Sequence, residues 1–159
     1  MLEIRKYKES DFDYLCEIFL RAVIETASQD YSPRQIAAWA QIDASRWQHK
    51  LTHSTVLVAV INDQPVGFIT AIERYIDLLF VSPEYIHRGV ASTLFDALVE
   101  QLPTGMFTVD ASITARPFFE RHGFQVLQQQ SVESRGVRFV NYHMALKRST
   151  KLPCNENSG

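Results

Sequence analysis

The sequence predicts an α/β fold: a single domain with a central mixed, mostly antiparallel sheet of about six to seven strands and helices on both faces. Two observations support this prediction. The chain has 159 residues, of which 46% are apolar, the size and composition of one domain with one core. Its hydrophobic patterns also follow a definite order: one strand, two or three helices, three strands, a helix, a strand, a helix and a final pair of strands.

The first third of the chain combines a strand with helix start signals. Residues 2–7 alternate apolar and polar side chains, as a half-buried strand does. Ser10 is predicted to cap a helix, with Asp13 as the return partner of a capping box. Residues 32–35, Ser-Pro-Arg-Gln, give a second start, because serine caps, proline fits the first helical position and glutamine closes the box. A short helix is expected over residues 45–53.

The middle of the chain predicts three strands and a helix. Residues 55–61 and 66–72 are rich in β-branched side chains, and Asn-Asp-Gln-Pro at 62–65 separates them as a hairpin turn would. Residues 76–81 are almost wholly apolar, which is typical of a strand covered on both faces. A helix should follow Gly89, because apolar side chains recur on one side of the segment after it.

The last third predicts a short strand, a helix and a hairpin. Residues 106–109 form the strand, and residues 115–122 form a helix that ends at Gly123, the residue type that best adopts a left-handed cap. Residues 125–132 and 137–146 are expected to pair as a hairpin.

Composition restricts the class of protein. The predicted domain covers residues 1–147, and residues 148–159 form a polar, flexible C-terminal tail. Charge is nearly balanced, with 16 basic and 18 acidic residues and no evident basic face, so nucleic acid is not expected as a partner. No run approaches the roughly 18 apolar residues of a membrane span, and the N-terminus lacks the apolar run of a signal peptide. We therefore expect a cytoplasmic protein without a membrane partner.

The stretch from residue 76 to residue 98 is the most informative about function. It combines an apolar strand, a Pro-Glu-Tyr turn, a basic glycine loop and a helix that opens on small residues. The first N–H groups of a helix lack intrahelical partners, and the helix dipole adds about half a positive charge there. A phosphate-bearing ligand is therefore expected at residues 88–91, Arg-Gly-Val-Ala.

Two segments resemble motifs of the GCN5-related N-acetyltransferase (GNAT) superfamily. Residues 79–94, Leu-Phe-Val-Ser-Pro-Glu-Tyr-Ile-His-Arg-Gly-Val-Ala-Ser-Thr-Leu, are similar to its acyl-CoA pyrophosphate motif. Residues 115–124, Ala-Arg-Pro-Phe-Phe-Glu-Arg-His-Gly-Phe, are similar to its A-x-x-F-Y-E-x-x-G-F helix. The resemblance covers about residues 2–147 and implies acetyl-CoA as the acyl-donor substrate, an amine as the acceptor and no metal ion.

The sequence departs from the family pattern at two positions. Ile86 replaces the polar residue that usually begins the phosphate loop, which matters little if main-chain amides hold the phosphates. Phe119 stands where the family often places a tyrosine next to the thiol sulfur, and it cannot donate a proton.

The resemblance implies two sets of coenzyme contacts. Amides and basic side chains at the loop would hold the diphosphate, and a strand-like main chain would pair with the pantetheine arm. The loop set is His87, Arg88, Gly89, Val90, Ala91 and Ser92; the arm and thioester set is Leu79, Phe80, Val81, Ser112, Arg116 and Phe119.

Attack by an amine requires a base, because a primary amine is mostly protonated at neutral pH. Asp77 is one candidate, since burial in its apolar strand would raise its pKa; the alternative is that it binds the substrate ammonium or a backbone group. Glu73 is the other candidate, against the alternative of a solvated strand end. Tyr142 or Ser112, and more weakly Tyr75, could protonate the leaving thiolate, although a thiolate is a fair leaving group without help. The alternative for Tyr142 is an ordinary place in the sheet.

The amine pocket is expected to be aromatic and acidic, as suits a small amphipathic cation. The candidates are Tyr31, Trp39, Trp47, Tyr75 and His143. The alternative for the two tryptophans is a place in the core, and for His143 a structural role.

The function predicted from these residues is transfer of an acetyl group from acetyl-CoA to a primary amine by direct attack, with a small-molecule amine as the expected acceptor. The alternative is a non-catalytic acyl-CoA-binding or regulatory module that kept the fold. A dinucleotide-binding domain is disfavoured, because no G-x-G-x-x-G follows an early strand. The protein is expected to act as a monomer or a homodimer.

Overall fold

The computed structural model describes residues 1–102 and 104–148 and contains one seven-stranded sheet. Its strands are β1 (Leu2–Lys6), β2 (Thr55–Ile61), β3 (Gln64–Ile72), β4 (Tyr75–Val81), β5 (Gly105–Ser112), β6 (Gln125–Ser134) and β7 (Val137–Arg148). They lie in the order β1-β2-β3-β4-β5-β7-β6, and only β4 and β5 pair in parallel. The predicted mixed, mostly antiparallel sheet is confirmed.

Five α-helices flank this sheet in the part of the chain that the structure describes. They are α1 (Phe12–Arg21), α2 (Pro33–Trp39), α3 (Ala44–Thr52), α4 (Val90–Gln101) and α5 (Arg116–Arg121). A widened π-helical turn, Ala22–Thr26, continues α1, and a short 3₁₀ turn, Ala27–Gln29, follows it. None of the helices in the described residues is long and apolar enough to cross a membrane.

Two hydrophobic cores confirm that helices cover both faces of the sheet. Alternate side chains of β2 divide between them, since Leu57 packs with α4 whereas Val58 packs with α1. Leu94 of α4 and Leu15 of α1 are both fully buried in their respective cores. This division places the central strands β3 and β4 between two helical layers.

The predicted serine cap at Ser10 is wrong. A 3₁₀ turn over Glu9–Asp11 precedes α1, and the N–H of Lys8 donates to Oδ2 of Asp11 at 2.8 Å. The guanidinium of Arg5 donates to both oxygens of the same carboxylate, at 2.8 and 2.9 Å. Asp11 displaces Ser10 because a carboxylate that accepts three hydrogen bonds is a stronger anchor than a hydroxyl.

The capping box at α2 and the final hairpin are confirmed. The N–H of Gln35 donates to Oγ of Ser32 at 3.1 Å, and the N–H of Ser32 donates back to Oε1 of Gln35 at 2.8 Å. Strands β6 and β7 pair from Gln125↔Ala145 to Ser134↔Val137.

Strand β5 is longer than predicted, because all eight of its residues pair with β7. Helix α5 ends before Gly123, whose φ of 92° is the predicted left-handed cap. Pro103 and residues 149–159, which include most of the predicted tail, lie outside the described residues.

The expectation that β4 is covered on both faces is confirmed in part, because its side chains pack into both cores but most of them are only partly buried. Of its seven residues only Ile76 is buried. An extra residue, Asp77, bulges from β4 opposite β3, because Ile76 pairs with Ala71 and Leu78 with Thr70. On the other side β4 pairs with β5 only at Tyr75 and Ile76. Beyond Ile76 the two parallel strands separate, so the later part of β4 borders an opening instead of a neighbouring strand.

Candidate functional site

A cavity of about 380 Å³ fills the gap between β4 and β5. The second half of β4 and the end of β5 form two of its sides, and the start of α4, the α5 region and β7 close it further. The π-helical turn and the 3₁₀ turn after it contribute the small side chains Ala22 and Ala27, which leave room in front of the sheet. Its lining is mainly apolar, and the only charged residues among the described ones that line it are Asp77 and Asp110.

The loop before α4 presents main-chain amides beside this cavity. The N–H of Thr93 is the first to make the helical bond, donating to the carbonyl of Gly89 at 2.9 Å. The amides of Val90, Ala91 and Ser92 precede it and therefore have no intrahelical acceptor. Gly89 is the N-cap with a φ of 80°, and a Cβ added there would meet no heavy atom within 4 Å. These open amides can hold an anion.

The basic residues of the loop are exposed next to those amides. His87, with a φ of 63°, adopts the left-handed conformation, and so does Gly89 two residues later. Alternating left-handed residues turn successive N–H groups toward one side, as anion-binding concavities do. The guanidinium of Arg88 lies 5.6 Å from the ring centroid of Tyr85, so its charge stays at the loop.

Leu79, Phe80 and Val81 line the cavity with main chain that β5 does not pair. Their side chains belong to the cores on either face, with Leu79 and Val81 on the α4 side and Phe80 on the α1 side. The strand edge that faces the gap is thus free to pair with an extended ligand, while the side chains keep the fold together.

Asp77 lines the cavity at the bulge and has one charged neighbour. Nζ of Lys50, on α3, lies 2.9 Å from Oδ2 of Asp77, as an ion pair without the alignment of a hydrogen bond. No pattern in the sequence indicates this partner, because Lys50 lies 27 positions earlier on a surface helix.

Asp110 is a site residue that the sequence analysis missed. Its carboxylate accepts hydrogen bonds from Oη of Tyr75 at 3.0 Å, from Nδ1 of His143 at 2.9 Å and from Nε2 of Gln130 at 3.1 Å. Burial raises the pKa of Asp110, but these hydrogen bonds outweigh it, led by that from His143, and the net pKa is below the ordinary value. Burial and the bond to Asp110 raise the pKa of Tyr75.

Tyr75 and His143, predicted as substrate contacts, therefore lie one step behind the cavity wall. Neither lines the cavity, and both hold Asp110, which does. The alternation of Asp110 with the buried Val109 and Ala111 was the available signal, but it is also the pattern of a solvated strand face.

The predicted aromatic pocket is brought together in part. Tyr31 and Trp39 line the cavity and pack edge-to-face with a centroid separation of 5.3 Å. Oη of Tyr31 accepts from the N–H of Ile113 at 2.8 Å and donates to the carbonyl of Val140 at 3.4 Å. Trp47 lies elsewhere, in the core of the α1 side, with its ring 4.9 Å from that of Phe19.

Two predicted catalytic residues lie away from the cavity lining. Glu73 is in the turn between β3 and β4 with a φ of 54°, at the paired end of β4. Tyr142 lies under the guanidinium of Arg116, 4.4 Å from its ring centroid, and Arg116 also donates to Glu120. Neither Tyr142 nor Arg116 is among the residues that line the cavity.

Phe119 and Ser112 line the inner part of the cavity. Phe119 is 2% exposed and packs edge-to-face against Phe124, with centroids 5.1 Å apart. Oγ of Ser112 accepts a hydrogen bond from the N–H of Ala115 at 3.0 Å. In residues 1–102 and 104–148 no group of three or more His, Cys, Asp or Glu is placed to hold a metal ion.

Comparisons with a family model, a related protein and a solved structure all point to the same family. The model of the acetyltransferase (GNAT) domain matches residues 27–146. The uncharacterized N-acetyltransferase YafP of Escherichia coli (strain K12) is 60% identical over 146 residues, 92% of this chain and 96% of that protein. A crystal structure from Rhodopseudomonas palustris, described as a GCN5-related N-acetyltransferase, superposes with a TM-score of 0.87 at 31% identity, covering 91% of this chain and 94% of that one.

A more distant structure adds a likeness of fold. The PaiA N-acetyltransferase of Thermoplasma acidophilum, solved in complex with coenzyme A, has a TM-score of 0.73 at 18% identity, with 92% of this chain and 99% of that chain covered. The match of the family model to most of the chain and the two closer relatives agree with the sequence motifs at the α4 loop and at α5. The chain belongs to the GNAT family of N-acetyltransferases.

Proposed function

We propose that the protein transfers an acetyl group from acetyl-CoA to the primary amine of a small molecule by direct attack. The observation that carries this proposal is the meeting of the open amides at the start of α4 with the gap between β4 and β5. The amides suit a diphosphate and the gap suits an extended arm, and acyl-CoA carries a diphosphate followed by such an arm.

The residues at the site fit such a donor. The amides of Val90 to Ser92 and the guanidinium of Arg88 would hold the diphosphate, and His87 adds a further donor. The free edge of Leu79 to Val81 would pair with the pantetheine arm. From Val81 to Asp77 the strand spans about 13 Å. The acyl end would therefore lie toward the closed end of the gap, beside the bulge.

Acetyl-CoA supplies an activated acyl carbon, and the chain supplies position, a base and a donor for the developing oxyanion. Positioning alone contributes about 7–11 kcal/mol to such reactions. Asp77 is the proposed base, since it lines the cavity at the bulge and Lys50 can hold it in place. A main-chain N–H near Leu79 is the proposed oxyanion donor, worth about 3–4 kcal/mol.

The thiolate can leave without a proton donor at position 119, because it is a fair leaving group. Ser112, which lines the cavity, is the proposed proton donor to the thiolate if one is used, whereas Tyr142 is outside the lining and packs against Arg116. Glu73 is disfavoured as a base for its distance from the cavity lining. These roles are proposals for this chain.

The acceptor that suits the cavity is an amine on an apolar body. Tyr31, Trp39 and Phe139 form an aromatic side, and the charged lining residues are both acidic. An acceptor with a carboxylate or phosphate of its own would meet these two like charges without a cation to pair with in the lining.

Calorimetric titration with coenzyme A and a thiol-release assay over a panel of small amines test the proposal. Arg88→Glu should weaken coenzyme binding at least about 10-fold, because it replaces a charge-assisted donor by a repelling group. Arg34→Glu, at an exposed position of α2, is the matched control and should not change it. Asp77→Asn should lower turnover about 10²- to 10⁴-fold with coenzyme affinity unchanged.

Two results would contradict the proposal in different ways. Absence of coenzyme binding by the unmodified protein would reject the site as a whole. Binding without thiol release for any amine would favour the alternative of a non-catalytic acyl-CoA-binding module.

A further inference from the structure

The two acidic residues of the cavity lie where β4 and β5 part. The parallel register ends with Tyr75↔Thr108 and Ile76↔Val109, and the next residues along the two strands are Asp77 and Asp110. One carboxylate therefore stands on each side of the closed end of the gap. Their surroundings differ, and the difference indicates a division of roles.

Asp110 is held in place by three strands. Tyr75 donates from β4, Gln130 from β6 and His143 from β7, all within 3.1 Å. Gln130 is itself fixed, because its Nε2 also donates to Oδ1 of Asn141 at 2.8 Å. A carboxylate held by several donors keeps its geometry and its negative charge, yet Asp110 still lines the cavity with about a third of its side chain exposed.

Asp77 is less suited to bind a cation. Nζ of Lys50 already lies 2.9 Å from its Oδ2, so its charge is compensated within the chain. Asp110 has two uncharged donors, Tyr75 and Gln130, and an imidazole that carries charge only when protonated. With a neutral imidazole at His143, the uncompensated negative charge in the cavity is that of Asp110.

We propose that Asp110 binds the ammonium group of the acceptor and so selects cationic amines on an apolar body. Tyr75, Gln130 and His143 act as positioning residues that hold its carboxylate. This inference rests on the proposed function, since it assigns the acceptor end of the same cavity. It leaves Asp77, across the gap, free to accept the proton that the bound amine must lose.

The test compares two ligands of similar shape and different charge, benzylammonium chloride and benzyl alcohol. Binding is followed by NMR chemical-shift titration at neutral pH, with and without saturating coenzyme A. The unmodified protein should bind benzylammonium at least about 10-fold more tightly than benzyl alcohol, the ratio expected for a hydrogen bond between charged groups. Asp110→Asn should weaken benzylammonium binding about 10- to 100-fold and leave benzyl alcohol binding within about 2-fold.

Asp96→Asn is the matched control, because it removes the same charge from an exposed position of α4. It should change neither affinity. If Asp110→Asn does not fold, Tyr75→Phe replaces it, and a selective loss of benzylammonium affinity supports the proposal.

The proposal is overturned if the unmodified protein does not prefer benzylammonium, if Asp110→Asn retains that preference, or if the substitute variant weakens both ligands equally or neither. Failure of the proposed function would be visible separately, as absent coenzyme A binding in the same samples. Failure of this inference alone would leave coenzyme A binding intact.

Discussion

Gly89 offers the sharpest test of the anion site, because the structure provides a matched control for it. Gly89 and Gly136 have φ values of 80° and 75°, and an added Cβ would meet no heavy atom within 4 Å at either position. Alanine at either glycine should therefore cost about 1 kcal/mol, the penalty for a left-handed alanine. The midpoint of thermal unfolding should fall by about 2–4 °C in both variants.

The two variants should differ in coenzyme binding. Gly89 is the N-cap of α4, so its new methyl group would stand in the open space before the amides of Val90 to Ser92. Loss of one or two charge-assisted hydrogen bonds to a phosphate corresponds to about 10- to 100-fold in affinity or more. Gly136 lies in the β6–β7 turn, and Gly136→Ala should bind coenzyme A as the unmodified protein does.

Stability cannot produce this difference. A domain stable by about 5 kcal/mol or more remains over 99% folded after a loss of 1 kcal/mol, so the folded fraction hardly changes. Pantetheine, which lacks the diphosphate, gives a second comparison, since Gly89→Ala should leave its binding unchanged. Equal coenzyme A affinity in both glycine variants, measured by calorimetry, would refute the assignment of the diphosphate to the α4 amides.

Two further predictions concern stability. Asp11→Asn should lower the free energy of unfolding at pH 7 by about 2–3 kcal/mol in urea titrations, because it breaks a buried pair whose arginine is one-third exposed. Burial opposes ionisation of Asp11, but Arg5 and the N–H of Lys8 outweigh it and lower its pKa. This contribution to the free energy of unfolding is therefore present above the unfolded pKa of about 3.9 and is lost as pH falls through the lower folded pKa. The difference in free energy of unfolding between the unmodified protein and Asp11→Asn should then disappear in acid. A difference that stays constant with pH would contradict the assignment. Trp47→Ala should lower the free energy of unfolding by about 3–5 kcal/mol, because Trp47 packs in the core of the α1 side. Trp39→Phe should lower it by less than about 1.5 kcal/mol and raise the KM for amines, because Trp39 lines the cavity. The opposite ranking in thermal melts and kinetics would show that the two tryptophans were assigned the wrong way round.

Most of the fold could be predicted from the sequence because its signals are local. The capping box of residues 32–35, the cap at Gly123 and the hairpin turn before β7 each depend on neighbours within a few positions. The error at Ser10 has the opposite cause. The carboxylate that holds the turn before α1 is fixed by Arg5, which approaches from β1, and such a partner has no pattern in the sequence.

The candidate site shows the same contrast between local signals and distant partners. The amides at α4 follow from one loop and one helix start, which a contiguous motif encodes. Asp110 becomes distinctive only when Tyr75, Gln130 and His143 meet it from three other strands. The ion pair of Asp77 with Lys50 similarly depends on how α3 packs over the sheet. Residues that act through distant partners could not be ranked before the topology was known.

The bulge at Asp77 connects the two halves of the site. The bulge is one extra residue in β4, placed directly after the last pair that β4 makes with β5. The same local change brings a carboxylate to the cavity wall and is followed by main chain that pairs with β3 but has no partner on the β5 side. A regular β4 would continue its ladder with β5, which would close the gap and satisfy the groups proposed to bind the coenzyme arm. Removing the extra residue should therefore abolish coenzyme binding and amine binding together, whereas substitutions at the α4 loop or at Asp110 should separate them.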